Sequence, residues 1–199
     1  MVFEGGEACG KSTQARALAY SLGAIFTFEP GATELGAWVR NVVLDPATRS
    51  LDARAEALLI AADKAQHVAE IIEPALAAGR SVVCDRYVAS AIAYQGYGRG
   101  LDIASLSSAL AFATGGLVPD LTILLEVPDA TAQARLGSKR DRLEAETAAF
   151  HRRVSDGFRA LAAADPIGWL VVDGAGTVEE VSARLRWLLR ERLDLEVEM

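Results

Sequence analysis

Along the chain, short continuous apolar runs alternate with longer stretches that have helical spacing. The apolar runs fall at residues 1–4, 24–27, 81–84, 121–127 and 169–173. Runs of this length without polar alternation are typical of parallel strands that are buried on both faces. The pattern therefore predicts five strands.

Helical spacing of apolar residues recurs between these runs. The predicted helices cover residues 12–22, 34–44, 51–78, 88–95, 102–114, 130–136, 143–164 and 177–192, and a loop is expected at 96–100. Pro74 lies inside the third stretch and predicts a kink or a break there. Because strands and helices alternate throughout, right-handed crossovers give a parallel sheet wrapped on both faces. We therefore predict an α/β fold with three layers around a five-stranded parallel sheet, as one domain over residues 1–199.

Composition narrows the functional classes. The chain of 199 residues is 51% hydrophobic and carries a formal net charge of −7. An acidic chain argues against generic binding to nucleic acid or to anionic membranes, both of which need a basic face. Its apolar runs are too short to span a bilayer, and it starts directly on the first strand, so no signal peptide is expected. Two cysteines, Cys9 and Cys84, without metal-type spacing suit a reducing, cytoplasmic location.

A phosphate-binding loop follows the first strand. Residues 5–12 fit the pattern G-x-x-x-x-G-K-[ST], and Thr13 comes next. Glycines let backbone N–H groups surround phosphates, and the following helix adds the positive end of its dipole. Lys11 is placed to reach the β- and γ-phosphates, and the Ser12 hydroxyl to hold Mg²⁺. We predict an ATP site formed by Gly5, Gly6, Glu7, Ala8, Cys9, Gly10, Lys11, Ser12 and Thr13.

Asp85 stands at the C-terminal end of the third apolar run. Ligands of open α/β sheets bind at that end of the strands. A carboxylate there, beside a phosphate loop, is suited to hold Mg²⁺ or to orient an acceptor. The alternative is that Asp85 caps the helix that follows, and we favour the functional interpretation.

Several ordered motifs carry a resemblance to a known family. They are Phe3-Glu4-Gly5 with Lys11-Ser12-Thr13-Gln14, Glu29-Pro30-Gly31, Asp85-Arg86-Tyr87, Ala93-Tyr94-Gln95-Gly96, Pro119-Asp120-Leu121-Thr122 and Asp141-Arg142-Leu143-Glu144. Together they resemble the thymidylate kinase family, within the nucleoside monophosphate kinases, over essentially the whole chain.

The resemblance implies transfer of the γ-phosphoryl group of ATP to dTMP, with Mg²⁺ near Ser12 and Asp85, by a homodimer. It places Arg86 on the acceptor phosphate and Glu7 at the acceptor sugar. It also places Tyr94 against the deoxyribose and Gln95 at the base pocket. Further acceptor-binding positions are Pro30, Ile60, Lys64 and Ser90.

The same resemblance places a mobile lid at residues 136–144, whose cations close on the phosphates. Arg135, Lys139, Arg140 and Arg142 are the candidates. We assign Arg135 to ATP binding and Arg140 and Arg142, with Lys11, Asp85 and Arg86, to catalysis. Charges at helical spacing are alternatively a solvated helix face.

The chain departs from the family pattern mainly on the acceptor side. Phe28 and Lys64 replace arginines, Ile60 replaces the phenylalanine that stacks on thymine, and Ala91 replaces a polar side chain. One interpretation is a dTMP kinase with a compensated pocket, in which Phe28 supplies the missing ring. Alternatives are a kinase for another deoxynucleoside monophosphate, a nucleotide-binding paralogue with little turnover, or a different P-loop small-molecule kinase. In the loop itself, Ala8 replaces a glycine.

Overall fold

The computed structural model describes residues 1–48, 50–135, 137 and 140–193. Its strands are β1 (Val2–Glu4), β2 (Ile25–Phe28), β3 (Val82–Asp85), β4 (Thr122–Glu126) and β5 (Trp169–Asp173). They form one sheet in the order β2-β3-β1-β4-β5, and every adjacent pair is parallel. The predicted five-stranded parallel sheet is therefore confirmed, with β1 at its centre.

Helices connect the strands and cover both faces of the sheet. They are α1 (Lys11–Ser21), α2 (Glu34–Leu44), α3 (Ala53–His67), α4 (Glu73–Ala77), α5 (Val88–Ala91), α6 (Ile103–Ala113), α7 (Asp129–Arg135), α8 (Ala148–Ala164) and α9 (Val178–Leu193). Two π-helical segments, Val68–Ile72 and Ile92–Gly98, follow α3 and α5. No helix in the described ranges is both long and apolar enough to cross a membrane.

Alternate residues of the strands supply the two sides of the core. Phe3, Ile123 and Leu125 pack with α1 and α9 in one cluster of buried residues. Leu124 packs in a second cluster with α2, α3, α6 and α8. Because successive strand residues point to opposite faces, continuous apolar strands produce a core on each side of the sheet. The predicted three layers follow from this arrangement.

The structure refines the predicted helix ends at three places. The kink or break expected at Pro74 falls just before it, as a π-helical segment that separates α3 from α4, and the proline lies in the first turn of α4, where no N–H is needed. The loop expected at 96–100 begins as π-helix that runs to Gly98. The helix expected from residue 143 starts at Ala148, because Asp141 folds the preceding residues into a turn and Thr147 caps α8.

Candidate active site

The phosphate loop connects β1, at the centre of the sheet, to α1. Gly10 precedes α1 with φ 94°, and no side chain caps the N–H groups of the helix. These N–H groups and the dipole of α1 are available to an anion. Gly5 is required by close packing, since a Cβ atom there would lie 2.5 Å from the Leu125 carbonyl oxygen. Ala8 adopts φ 54°, a left-handed conformation that favours glycine.

Lys11 is buried beneath this loop. Its Nζ donates a hydrogen bond of 2.7 Å to the Gly6 carbonyl oxygen. The ammonium group is thereby held inside the loop, where the backbone N–H groups can surround an anion. Thr13 and Ser12 are exposed on the first turn of α1.

Ser12 and Asp85 meet at the carboxyl ends of β1 and β3. The Ser12 hydroxyl donates to Asp85 Oδ2, while Asp85 Oδ1 is buried and has no hydrogen-bond partner among the described residues. A hard cation with oxygen ligands fits this unpaired oxygen. Within the described residues, no cluster of three or more His, Cys, Asp or Glu side chains could hold a metal. Mg²⁺ would therefore be held by Ser12, Asp85, water and substrate phosphates, as is usual for this ion.

Arg86 occupies a strained position directly after β3. Its φ of 71° is left-handed, which costs roughly 1–3 kcal/mol for a residue other than glycine and is typical of functional sites. Its guanidinium group donates to Glu7 Oε1 at 2.7 Å, and to the Gly5 carbonyl and Ser90 Oγ at 3.2 Å. These bonds fix the guanidinium group beside the phosphate loop.

Glu7 balances the charge of this arginine. Burial alone would raise the pKa of Glu7, but Arg86, Lys11 and the Tyr94 hydroxyl lower it to about 2. Tyr94 donates its hydroxyl hydrogen to the same carboxylate oxygen. Glu7 is therefore an ionised acceptor at neutral pH, able to accept a hydrogen bond from a sugar hydroxyl.

We name the cavity above the loop the phosphate chamber. Its lining is Glu7, Lys11, Ser12, Arg16, Phe28, Glu29, Arg40, Asp85, Arg86, Asp141 and Glu144. Four of these residues are cationic, which suits a chain of phosphates. The exposed Arg16 and Arg40 were missed in the sequence, since each lies on a helix face that looks solvated.

A second cavity, the α3 pocket, adjoins the chamber. Its lining is Glu7, Glu29, Pro30, Arg40, Val43, Leu44, Ile60, Asp63, Lys64, Arg86, Ser90, Ala91, Tyr94, Gln95, Asp141 and Leu143. It combines apolar side chains with a few polar groups, as is usual for a small-molecule site. All eight residues predicted to bind the acceptor lie in this lining. Glu7, Glu29, Arg40, Arg86 and Asp141 line both cavities.

Lys64 is committed to a buried polar network. Its Nζ donates to Glu29 and, at 2.8 Å, to the Tyr87 carbonyl oxygen. His67 bridges the same Glu29 and Thr27 at 2.7 and 2.6 Å. His67 is thus a packed residue, since its side chain has no exposed surface. The network holds the Glu29-Pro30 segment, whose peptide bond is cis, against α3.

Gln95 is oriented by a buried carboxylate. Its amide nitrogen donates to Glu56 at 2.8 Å, which leaves the amide oxygen and the second N–H hydrogen as groups it can offer to a ligand. Asp63 adds a second acceptor, because its Oδ2 is buried without a hydrogen-bond partner among the described residues. Burial and the neighbouring Glu29 raise the pKa of Asp63. The sequence analysis did not single out Glu56 or Asp63, although an acid on the buried face of a predicted helix indicates a buried polar contact.

Phe28 does not supply a ring to the α3 pocket. Its ring stacks on Phe26 with centroids 6.4 Å apart and lines the phosphate chamber instead. Residues two apart on a strand share a face, so β2 directs both rings to the same side. The expectation that Phe28 replaces the stacking phenylalanine was wrong.

The candidate lid cations lie in different places. Arg135, on α7, donates to the Gly174 and Gly176 carbonyls of the loop after β5. Arg140 lines a further cavity beside the loop residues Gly6 and Cys9. Arg142 binds Val43 and Glu56, outside the lining of the phosphate chamber. Lys139, like residues 136 and 138 of the predicted lid, lies outside the described residues.

A parallel sheet whose central strand leads into this loop, with an acid at the end of the neighbouring strand, defines a P-loop nucleotide-binding protein. The family model described as "Thymidylate kinase" matches residues 3–185. The thymidylate kinase of Solidesulfovibrio magneticus is 47% identical over 92% of this chain and 94% of its own. That of Leifsonia xyli subsp. xyli is 48% identical over 97% and 95%.

The crystal structure of thymidylate kinase from Ehrlichia chaffeensis superposes with a TM-score of 0.78 at 30% identity. It covers 95% of this chain and 96% of that one. The chain belongs to the thymidylate kinase family. The expected family, fold and enzyme class are confirmed by these comparisons.

Proposed function

We propose that the chain transfers the γ-phosphoryl group of ATP to dTMP and releases ADP and dTDP. One observation carries the proposal beyond family membership. The phosphate chamber, whose lining carries four cations and five acids, meets the α3 pocket at Arg86 and Glu7, which line both. A phosphate bound beside Arg86 and Glu7 borders both cavities. The donor and acceptor phosphates can therefore be brought together there, and direct transfer needs no nucleophile from the protein.

Each part of the junction has a chemical task in this proposal. The phosphate loop and Lys11 hold the phosphates of ATP, and Arg86 holds the acceptor phosphate. Glu7 and Tyr94 position the sugar, while Gln95 offers its oxygen to the base. Mg²⁺, when bound near Ser12 and Asp85, neutralises charge on the transferred phosphoryl group. Among the predicted lid cations that the structure describes, Arg140 lies beside Gly6 and Cys9 of the phosphate loop and is a candidate for a cation on that group.

A second acceptor is favoured by the lining of the α3 pocket. Ile60 offers no ring, Ala91 offers no hydrogen bond, and Lys64 is committed to Glu29 and Tyr87. The groups left for a base are Gln95, which keeps its amide oxygen and one N–H hydrogen, and the unpaired oxygen of Asp63, which is an acceptor. A base with an amino group, as in dCMP, suits such a lining, so a broadened acceptor range is the alternative.

One assay separates these functions. ADP release is measured with Mg²⁺ and ATP alone, and then with dTMP, dUMP, dCMP or dGMP. A clear preference for dTMP supports the main proposal, and equal rates support the alternative. ADP release that no acceptor accelerates would contradict both and favour a nucleotide-binding paralogue. Removing Mg²⁺ with a chelator should abolish the acceptor-dependent rate.

We also propose that the protein is a cytoplasmic homodimer that binds neither nucleic acid nor membranes. Large apolar side chains are exposed on the adjacent helices α2, α3 and α6, including Trp38, Leu58 and Phe112 at 69%, 64% and 91% exposure. Large apolar side chains exposed on neighbouring helices are suited to cover one another across an interface. Light scattering at micromolar concentration should give the mass of two chains, and Trp38→Glu should halve it. A monomeric wild-type protein would contradict this proposal.

A further inference from the structure

We propose that Arg142 is a positioning residue for the acceptor: it anchors the turn at 141–144, which forms one wall of the α3 pocket, to α2 and Glu56. The proposal rests on the function proposed above for the identity of the acceptor. It assigns Arg142 a task different from that of a cation on the transferred phosphate.

Arg142 closes the C-terminal end of α2 with its backbone and its side chain. Its backbone N–H donates to the Leu44 carbonyl at 2.9 Å, and its Nε donates to the Val43 carbonyl at 2.7 Å. The last carbonyls of a helix lack partners within the helix, and the negative end of the helix dipole favours a cation. A segment distant in the sequence is thereby attached to α2.

Glu56 is the buried end of this anchor. Its side chain has no exposed surface and pairs with Nη2 of Arg142. It also accepts hydrogen bonds from Arg99 at 3.1 and 3.2 Å and from the Gln95 amide at 2.8 Å. Burial would raise the pKa of Glu56, but the hydrogen bonds from Arg99, Gln95 and Arg142 lower it. One ionised carboxylate therefore connects the turn to a residue of the α3 pocket.

The Asp141 side chain holds the turn together, and the residues of the turn face different surroundings. Asp141 Oδ1 accepts from the backbone N–H groups of Leu143 and Glu144 at 2.9 and 2.8 Å. Asp141 and Leu143 line the α3 pocket, whereas the Arg142 side chain between them binds Glu56 and Val43. The turn also reaches the phosphate chamber through Asp141 and Glu144, but these are acids, which do not bind phosphates. Releasing Arg142 should therefore act mainly through the wall of the α3 pocket.

The two possible roles of Arg142 give different kinetic signatures. An anchor of the pocket wall acts on acceptor binding, so its loss raises KM for the acceptor. A cation that contacts the transferred phosphoryl group acts in the transition state, so its loss lowers kcat instead.

The test compares Arg142→Ala and Arg142→Lys with Arg54→Ala, which removes an exposed arginine from the first turn of α3. We expect Arg142→Ala to raise KM and the calorimetric Kd for dTMP at least about fivefold, with kcat and KM for ATP within about twofold. Lysine, which lacks the planar fork, should restore only part of the affinity. Arg142→Ala leaves Arg99 on Glu56, so the buried carboxylate stays paired. A fall in kcat of about 10²-fold with unchanged KM would overturn the proposal.

Hydrogen exchange tests the anchor without relying on activity. Amides at 142–144 should exchange faster in Arg142→Ala and Glu56→Gln than in the wild type or in Arg54→Ala. The double variant should exchange no faster than either single variant, because the two residues act as one unit. Unchanged exchange in both variants would overturn the proposal. A wild-type chain that does not phosphorylate dTMP would contradict the proposed function, while the exchange result would still decide the anchor.

Discussion

The phosphate chamber and the α3 pocket share a border but are assembled differently. The chamber is centred on the phosphate loop and Asp85, although Phe28, Arg40 and the turn at 141–144 complete its lining. The α3 pocket is centred on α3 and the segment after β3, where Lys64 and Tyr94 bind the acids Glu29 and Glu7. Each cavity keeps one buried carboxylate oxygen without a hydrogen-bond partner among the described residues, Asp85 Oδ1 in the chamber and Asp63 Oδ2 in the pocket. Because Lys11 and Ser12 line only the chamber, while Ile60 and Gln95 line only the pocket, changes in the chamber should act on turnover and changes in the pocket on affinity.

The largest effect is expected in the chamber, from Lys11→Ala. Loss of a buried cation that faces the phosphates should lower kcat on the order of 10²–10³-fold, because its stabilisation of developing charge is lost. Lys11 is absent from the lining of the α3 pocket, so calorimetric dTMP binding should change little. Arg54→Ala serves as the control. A variant that keeps kcat within a few-fold would show that the chamber does not work as described.

The pairing of Glu7 with Arg86, where the two cavities meet, should make the stability of the fold depend on pH in acid. The pKa of Glu7 is about 2 when folded, against its ordinary value of 4.5. The stabilisation from Glu7 is therefore complete above about pH 4.5 and is lost as the pH falls toward 2. Between pH 7 and pH 3, the free energy of unfolding should fall by about 2 kcal/mol more in the wild type than in Glu7→Gln. Denaturant titrations measure this, with Glu34→Gln, at an exposed site, as the control. Equal losses in the wild type and Glu7→Gln would contradict the charge balance at Arg86.

A smaller effect is expected from Ile60→Phe in the α3 pocket. An added ring contact contributes about 0.5–1.5 kcal/mol beyond burial, so KM for dTMP should fall roughly 2- to 12-fold with kcat unchanged. Ile60→Leu changes shape without adding a ring and should have little effect. If phenylalanine weakens dTMP binding while leucine does not, the pocket is shaped for a different acceptor.

The smallest effect concerns the backbone of the phosphate loop. Ala8→Gly should stabilise the fold by about 0.5–1 kcal/mol, because it relieves the left-handed φ of 54°. Ala17→Gly, on the exposed face of α1, should instead destabilise it by about 1 kcal/mol. Thermal unfolding of the two variants makes the comparison. The same sign for both would show that no strain is stored at Ala8.

Sequence reasoning succeeded best where the chemistry is contiguous. The phosphate loop and the strand before it can be predicted from residues adjacent in the sequence, because the spacing of the glycines and the run of apolar residues are set locally. The helix expected from residue 143 failed for the opposite reason. Its apolar spacing is helical, but the Asp141 side chain competes with the helix for backbone N–H groups. Such a competition is visible only when the partners of each group are known.

By itself, the sequence determined the five strands, the loop that surrounds phosphate and the acid at the end of β3, since periodicity and local geometry dictate them. Tertiary structure decided how the side chains pair. Lys64 lies on a predicted helix and Arg142 in the predicted lid, yet each is paired with a buried glutamate more than 30 residues away. Desolvation of Glu29 and Glu56 is costly unless they are paired, and only the fold decides which cation meets each acid.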